Sequence, residues 1–268
     1  MLFRLRILAL VASIISNTLA QTPQDFSPGT LVKLGVAFPS INIDPVGSAL
    51  QSLDQAKSQP VISVPMANLV GRNGQVDPQQ RFMVMMIDTD VVQQNIRTTV
   101  LHWFQPDLVI DTTSQGGIMP QSAPGTNASS LVTQALSGNM TRLVKSSTQS
   151  SVGQTNYLPP GPPPGPAHRY VQVLFAQPSN FSVPACFQNV LSKGGNSTEQ
   201  RLGFDINQFL AATNVVTRPI AGNYFRAQNP QPGSLVVNTI GTGLVNARCP
   251  GVTVAGQGMP AGAKRWIG

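Results

Sequence analysis

Charged side chains are scarce in this sequence, at 10% of its 268 residues against roughly a quarter in an average soluble chain. Helical bundles and coiled coils need charged faces beside their apolar stripes, so that shortage excludes them. The hydrophobic fraction of 41% is large enough for a full core, which excludes disorder. With 24 Gly and 23 Pro the chain is turn-rich and β-leaning, and one compact domain is expected. Chemistry-bearing residues are equally few: two His, two Cys and a single Glu, Glu199. There is no G-x-S-x-G, H-E-x-x-H or C-x-x-C, and no G-x-x-x-x-G-K loop. An activated serine, a zinc-protease helix, a dithiol centre and a nucleotide-phosphate cradle are therefore not expected. Neither a metal nor any other cofactor is expected.

Basic charge is present but not concentrated. Arg4 and Arg6 precede an apolar run over residues 7–15, and Thr18 and Ala20 place small residues three before and directly before a cut. That is the pattern of a secretory signal peptide over residues 1–20, cleaved near Ala20 to leave a single domain over 21–268. The run is shorter than the ~20 residues a membrane span needs, and nothing later spans, so no transmembrane segment is expected in the mature chain. Losing the two arginines lowers the formal charge from +7 to +5. Only Lys264 and Arg265 are adjacent, and no basic run alternates with aromatics, so nucleic acid is not an expected partner.

Two further features fit the secretory pathway. Sequons begin at Asn127, Asn139, Asn180 and Asn196, all in polar stretches where a glycan stays solvated. Cys186 and Cys249 form one possible pair, for which a disulfide is the first reading in an oxidising compartment and two buried thiols the alternative.

Apolar patterning predicts strands over 61–64, 81–87, 99–104 and 169–175, the second an unbroken apolar run expected of a strand covered on both faces. A turn separates the first two over 71–78, and residues 21–59 read as irregular structure with short strands. Residues 111–156, rich in Ser, Thr, Gln and Gly, read as a long surface excursion with a short helix near 130–136. The proline-dense stretch 157–166 reads as a rigid ordered loop between core strands. Asp205 can cap a helix whose Ile206, Phe209 and Leu210 share one face, with Gln208 three residues after the cap. Residues 218–225 then enter another strand, and 250–268 form a Gly-rich tail.

The two histidines, His102 and His168, each fall at an edge of a predicted strand beside aromatic residues. A lone strand histidine is usually a satisfied core residue; two of two beside special loops suggest a shared site. Asp88 and Asp90, at the end of the Met-rich strand, can cap a turn. They can equally orient neighbouring imidazoles and favour their protonated form, giving a compact group of donors for an anion.

Four blocks, MMIDTD (85–90), VLHWF (100–104), the proline-glycine loop running into AHRYVQVLF (157–175) and RPIAGNYF (218–225), resemble the phosphatidylethanolamine-binding proteins, within them the secreted fungal branch. Order and spacing hold across about residues 30–230. The resemblance implies a mainly β fold, with a large central antiparallel sheet packed on a smaller one and a few peripheral helices. It also implies a small anion pocket formed by Asp88, His102, Gly161, His168 and Tyr170, with Asp90, Tyr157 and Pro162 nearby. The family's Asp-Pro-Asp-Ala-Pro is here Asp-Thr-Asp-Val-Val over 88–92, which removes a rigid proline turn from one wall. Phe225 stands where some members have a pocket tyrosine.

Three functions from different classes follow. The first is a secreted protein that binds a small anionic ligand, a phosphate or a carboxylate. The second, which the resemblance to the fungal branch implies, is a cofactor-free cyclase that dimerises maleic-anhydride-type monomers in fungal polyketide (nonadride) biosynthesis, with His102, His168, Asp88 and Asp90 as the acid–base groups. The third, from the resemblance alone, is an inhibitor with a serine carboxypeptidase or another protease as partner.

Overall fold

The structure is a computed structural model that describes residues 20–71, 74–93, 96–111, 140–148, 153–191, 197–215, 218–231 and 249–254. Its strands are β1 (Gly35–Phe38), β2 (Ile41–Asn42), β3 (Val61–Pro65), β4 (Arg81–Gln93), β5 (Ile96–Ile110), β6 (Met140–Lys145), β7 (His168–Gln177) and β8 (Ala221–Ala227). All eight belong to one antiparallel sheet in the order β2-β1-β3-β6-β5-β4-β7-β8. The mainly β class is as expected. The smaller sheet of the expectation is continuous with the large one through the β3–β6–β5 pairing.

The sheet curls until its two ends meet. Leu34 N–H donates to Gly222 O, Gly222 N–H to Val32 O, and Leu50 N–H to Arg226 O, so residues 32–50 cover the outer edge of β8. A long strand edge that could pair with another chain is thereby covered. Gly222 permits this closure: a Cβ there would meet the methyl groups of Thr22 and Thr30 at 2.8 Å.

Strand β4 explains why its sequence is apolar without alternation. Phe82, Val84 and Met86 face the core enclosed by the curl, with Val36, Ile62, Trp103 and Leu174. Met83, Met85 and Ile87 face a second core under the helices, with Phe104, Phe175, Phe187 and Phe209. Each such side chain, fully buried, contributes roughly 1.5–3 kcal/mol.

Three short helices lie over that second face: α1 (Gln188–Leu191), α2 (Thr198–Arg201) and α3 (Ile206–Thr213). Asp205 caps α3 as expected, its Oδ1 accepting from the N–H groups of Asn207 and Gln208. The helix ends at Asn214, whose φ of 53° is the left-handed conformation Asn tolerates. Among the described residues no helix is long and apolar enough to cross a membrane.

Three sequence expectations meet a different outcome. Residues 111–156 are not wholly a surface excursion, because they contribute β6, which lies inside the sheet between β3 and β5. The strand over 81–87 continues through both aspartates to Gln93, and the one over 99–104 extends to Ile96–Ile110, so neither Asp88 nor His102 is at a strand edge. Residues 1–19 of the segment 1–20 read as signal peptide, the helix near 130–136, the sequons at Asn127, Asn139 and Asn196, and tail residues 255–268 lie outside the described residues. Asn180 is exposed in a turn.

Cys186 and Cys249 are joined in a disulfide with a Cα–Cα distance of 5.3 Å and a sequence separation of 63. In the chain-entropy account such a crosslink contributes about 4 kcal/mol. Replacing both cysteines by alanine is expected to lower unfolding free energy by an amount of that order, read from urea denaturation. A change below about 1 kcal/mol would show that restriction of the unfolded chain by this crosslink contributes little.

Candidate functional site

Three strands and one loop bring the site together. Asp88 on β4 is directly paired with Tyr170 on β7, and His168 lies two residues before Tyr170 on the same face. His168 Nδ1 is 2.8 Å from Asp88 Oδ2, and the second carboxylate oxygen accepts from Asp90 N–H at 2.9 Å. Both partners are almost fully buried, so the bond is shielded from competing water.

His102 arrives by a different route. Met86 pairs with Trp103 while Ile87 pairs with Leu101, so His102 is the extra residue of a β-bulge. Bulges re-aim a side chain out of the regular alternation, and this one frees the backbone carbonyl as well. His102 O accepts from Leu158 N–H (2.8 Å) and from the Arg201 guanidinium (3.1 Å), and His102 Nδ1 bonds Leu158 O at 2.9 Å. A carbonyl can only accept, so Nδ1 carries a proton and Nε2 is the unprotonated atom of the neutral ring. The two-way bond between His102 and Leu158 also fastens the proline loop to the sheet.

Tyr170 is held between two rings, stacked on Phe225 (5.3 Å, 13°) and edge-on to His102 (5.0 Å, 86°). Phe225 thus contributes a stacking face where a tyrosine would have brought a hydroxyl. Among the described residues the buried Tyr170 hydroxyl makes no hydrogen bond of good geometry, but Asp88 and the Gly161 N–H lie near enough to act on its ionisation. Its pKa is raised, first by burial and then by the Asp88 charge.

These groups line a cavity of about 350 Å³, with Val91, Val100, Pro162 and Leu202 among its apolar walls. Gly161 is at the wall, and a Cβ there would meet nothing within 4 Å, so a larger residue would take its space from the cavity. Larger recesses occur elsewhere on the surface, such as one of about 500 Å³ beside Asp25 and Arg97. Neither histidine lines that recess, so the smaller cavity is the candidate site.

The two imidazoles are set apart electrically. Burial is the largest influence on His102 and lowers its pKa; the nearby Arg201 and His168 act in the same direction, against the Leu158 bond and the Asp88 charge. Burial also opposes charge on His168, yet the Asp88 hydrogen bond and the charges of Asp88 and Asp90 together outweigh it, and its pKa is raised. The expectation that both rings favour their protonated form is corrected here. The surroundings favour the neutral form of His102 and the protonated form of His168.

Two expected pocket residues are placed elsewhere. Asp90 accepts from Arg169 N–H (2.9 Å) and from the guanidinium groups of Arg169 (2.7 Å) and Arg97 (2.6 Å), outside the cavity. The register shift between Asp88 and Val91 takes it off the Asp88 face. The Tyr157 hydroxyl donates to Ala56 O at 2.6 Å and its ring packs edge-on to Trp103, so it braces the loop from behind. Two residues that the sequence reading missed matter instead. Buried Arg201 clamps the His102 and Asn156 carbonyls, and Thr198 lines the cavity.

The four sequence blocks implied an antiparallel sheet and a pocket containing Asp88, His102, Gly161, His168 and Tyr170; the structure places these five residues around one cavity. Residues 44–225 match the phosphatidylethanolamine-binding protein family, and the chain belongs to that family. It is 35% identical over 210 residues to phomoidride biosynthesis cluster protein N of Talaromyces stipitatus, covering 77% of this chain and 89% of that one. A protein of the same description from another fungus ("Fungal sp.") is 32% identical over 144 residues, covering 54% of this chain and 51% of its own. Among solved structures, a carboxypeptidase Y inhibitor complexed with its cognate proteinase matches with a TM-score of 0.45 and 19% identity, over 74% of this chain and 83% of that one. A phosphatidylethanolamine-binding protein from Plasmodium vivax matches with a TM-score of 0.35 and 12% identity, over 74% and 85%.

Proposed function

We propose that the protein is a secretory-pathway component of a fungal biosynthetic pathway, and that it couples carboxylated or maleic-anhydride-type monomers by acid–base catalysis without a cofactor. The relatives that cover most of the chain's length carry the name of a biosynthesis cluster, which supports the pathway. The observation that supports the chemistry is geometric: an Asp88–His168 hydrogen-bonded pair and a second histidine, His102, held by Leu158 O, line one apolar-walled cavity, and their surroundings shift the two rings in opposite directions.

In this reading His102 Nε2 takes a proton from a carbon conjugated with the activated carbonyl, the side-chain carbon on the alkene of a maleic anhydride or the α-carbon of a saturated carboxylated monomer. The His168 imidazolium holds the enolate oxygen that forms, and Tyr170 is the second donor available to it. The enolate carbon then bonds to a second monomer, and the proton returns from His102 to the adduct, so the site ends as it began. A phosphate dianion suits the cavity less well. Among the described residues lining it there is no Lys or Arg, and the one imidazolium is already balanced by Asp88.

The test is to incubate purified protein with candidate anhydride monomers, with and without chelator, and follow the coupled product. Product that survives chelation supports the proposal, and abolition by chelator refutes the cofactor-free mechanism. Firm binding of the monomers without product would return the protein to the simpler role of a carboxylate-binding protein, which the same pocket supports.

A further inference from the structure

The aspartate and histidine of the site are tied to the N-terminal segment of the described chain by an unbroken series of polar contacts. Asp25 sits in a stretch that crosses the ends of β4, β5 and β7. Its carboxylate accepts from Arg169 Nη1 (2.6 Å) and Nη2 (3.1 Å) and from Arg97 Nη1 (3.0 Å). Both guanidinium groups also bind Asp90, Arg169 through Nε (2.7 Å) and Nη2 (2.8 Å) and Arg97 through Nη2 (2.6 Å). Asp90 in turn donates its backbone N–H to Asp88 Oδ1 at 2.9 Å, and Asp88 Oδ2 binds His168. Arg169 stands between His168 and Tyr170 on β7, so whatever fixes it fixes the backbone from which both pocket side chains project.

We propose that Asp25 is a positioning residue of the Asp88–His168 pair: by completing a two-aspartate, two-arginine cluster behind the strand ends, it holds the β4–β7 register and the local charge balance on which that pair depends. The proposal rests on the catalytic reading for its kinetic consequence and on geometry alone for its structural one.

Charge is what makes Asp25 more than a tether. With it the cluster is neutral; without it two guanidinium groups share one carboxylate, Asp90. The surplus positive charge then lies behind His168, which faces Asp88 and His102 and whose proton the charges of Asp88 and Asp90 favour. The segment around Asp25 has other anchors. Gln21 N–H donates to Thr30 O, Thr30 N–H donates to Thr22 Oγ1, and the Asn207 side chain donates to Ser27 O, so loss of one carboxylate leaves the segment seated.

The test uses the full-length chain expressed in a secreting host, as wild type and as Asp25→Asn, Asp25→Ala and Asp25→Glu. The sequence has only two histidines, so two imidazole signals can be followed through an NMR titration. Asp25→Asn and Asp25→Ala are expected to lower the His168 pKa by about half a unit or more. That difference should shrink as salt is raised, because the cluster is half exposed. Asp25→Glu is expected to restore the wild-type titration. Turnover of an anhydride monomer should fall about tenfold in kcat with little change in KM, since Asp25 lies outside the cavity. An unchanged His168 titration in both Asn and Ala variants would overturn the proposal, as would loss of folding in both. A shifted titration without turnover in any form of the protein would leave the positioning role standing and remove the catalytic reading.

Discussion

Replacing His168 by alanine is expected to lower coupling turnover by about 10²- to 10⁴-fold, the usual contribution of one general acid–base group. The loss should fall on kcat more than on KM. In the mechanism above, the imidazolium, already paired with Asp88 through Nδ1, gains a second anionic acceptor only when the enolate oxygen develops, so the ring binds the transition state better than the uncharged ground state. The variant should remain folded at a cost of about 1–3 kcal/mol, because Asp88 keeps its bond from Asp90 N–H but loses its partner on the other oxygen. Replacing His102 should lower turnover to a similar degree. It also loosens the proline loop, since the ring bond to Leu158 O disappears while the backbone bond from Leu158 remains. The double variant should be little worse than either single one, because the two rings act on one proton cycle. Fully multiplicative losses would mean that the histidines serve separate steps. Unchanged turnover in His168→Ala, with the fold intact, would remove the assigned site.

How far the sequence reaches can be judged from particular elements. Strands β4 and β7 were legible because both of their faces are buried, and a run such as RFMVMMI has no other economical reading. The helix after Asp205 was legible because its cap and its apolar stripe agree. Strand β6 was not: of its six residues only Thr141 and Leu143 are buried, and that weak alternation sits inside a Ser/Thr-rich stretch. In the site, the four motif blocks led to Asp88, His102, Gly161, Pro162, His168 and Tyr170, all of which line one cavity. What pattern reading could not supply was register. Period-2 alternation puts Asp88 and Asp90 on one face, and only the irregular pairing beyond Asp88 sends Asp90 to the arginines. The bulge that turns His102 toward Leu158 is likewise a property of which residues pair, and no local propensity encodes it. Asp25 and Arg201 were missed because neither falls in a motif block or an apolar pattern that marks its partners. Their signal was the scarcity of charge itself, which makes every charged residue near the motif blocks a candidate partner.

The pH dependence of turnover follows from the opposite shifts of the two histidines and separates this site from a simple anion trap. The working form has His102 neutral and His168 protonated. Because burial pushes His102 below its ordinary value and Asp88 holds His168 above it, that form dominates around pH 6.5. The rate should therefore be flat there, fall on the acid side as His102 gains its proton, and fall on the alkaline side as His168 loses its own. The same shifts act on stability with opposite signs. The His168–Asp88 contribution is present below pH 6.5 and lost as pH rises through the raised value. Keeping His102 neutral costs stability as pH falls below 6.5 toward its lowered value. Replacing Asp88 by asparagine removes the bond and the charge that favour the His168 proton, and removes a charge that raises His102. Both limbs should move to lower pH, the alkaline one further because it loses both the bond and the charge. At pH 7.5 the variant should be slower than wild type by about tenfold or more, and at pH 5.5 much of that loss should be recovered. Measuring kcat/KM from pH 4.5 to 9 for both proteins decides the matter. If Asp88→Asn lowers the rate equally at every pH, Asp88 serves only to hold the ring in place, and the assignment of His168 as the proton-bearing partner is wrong.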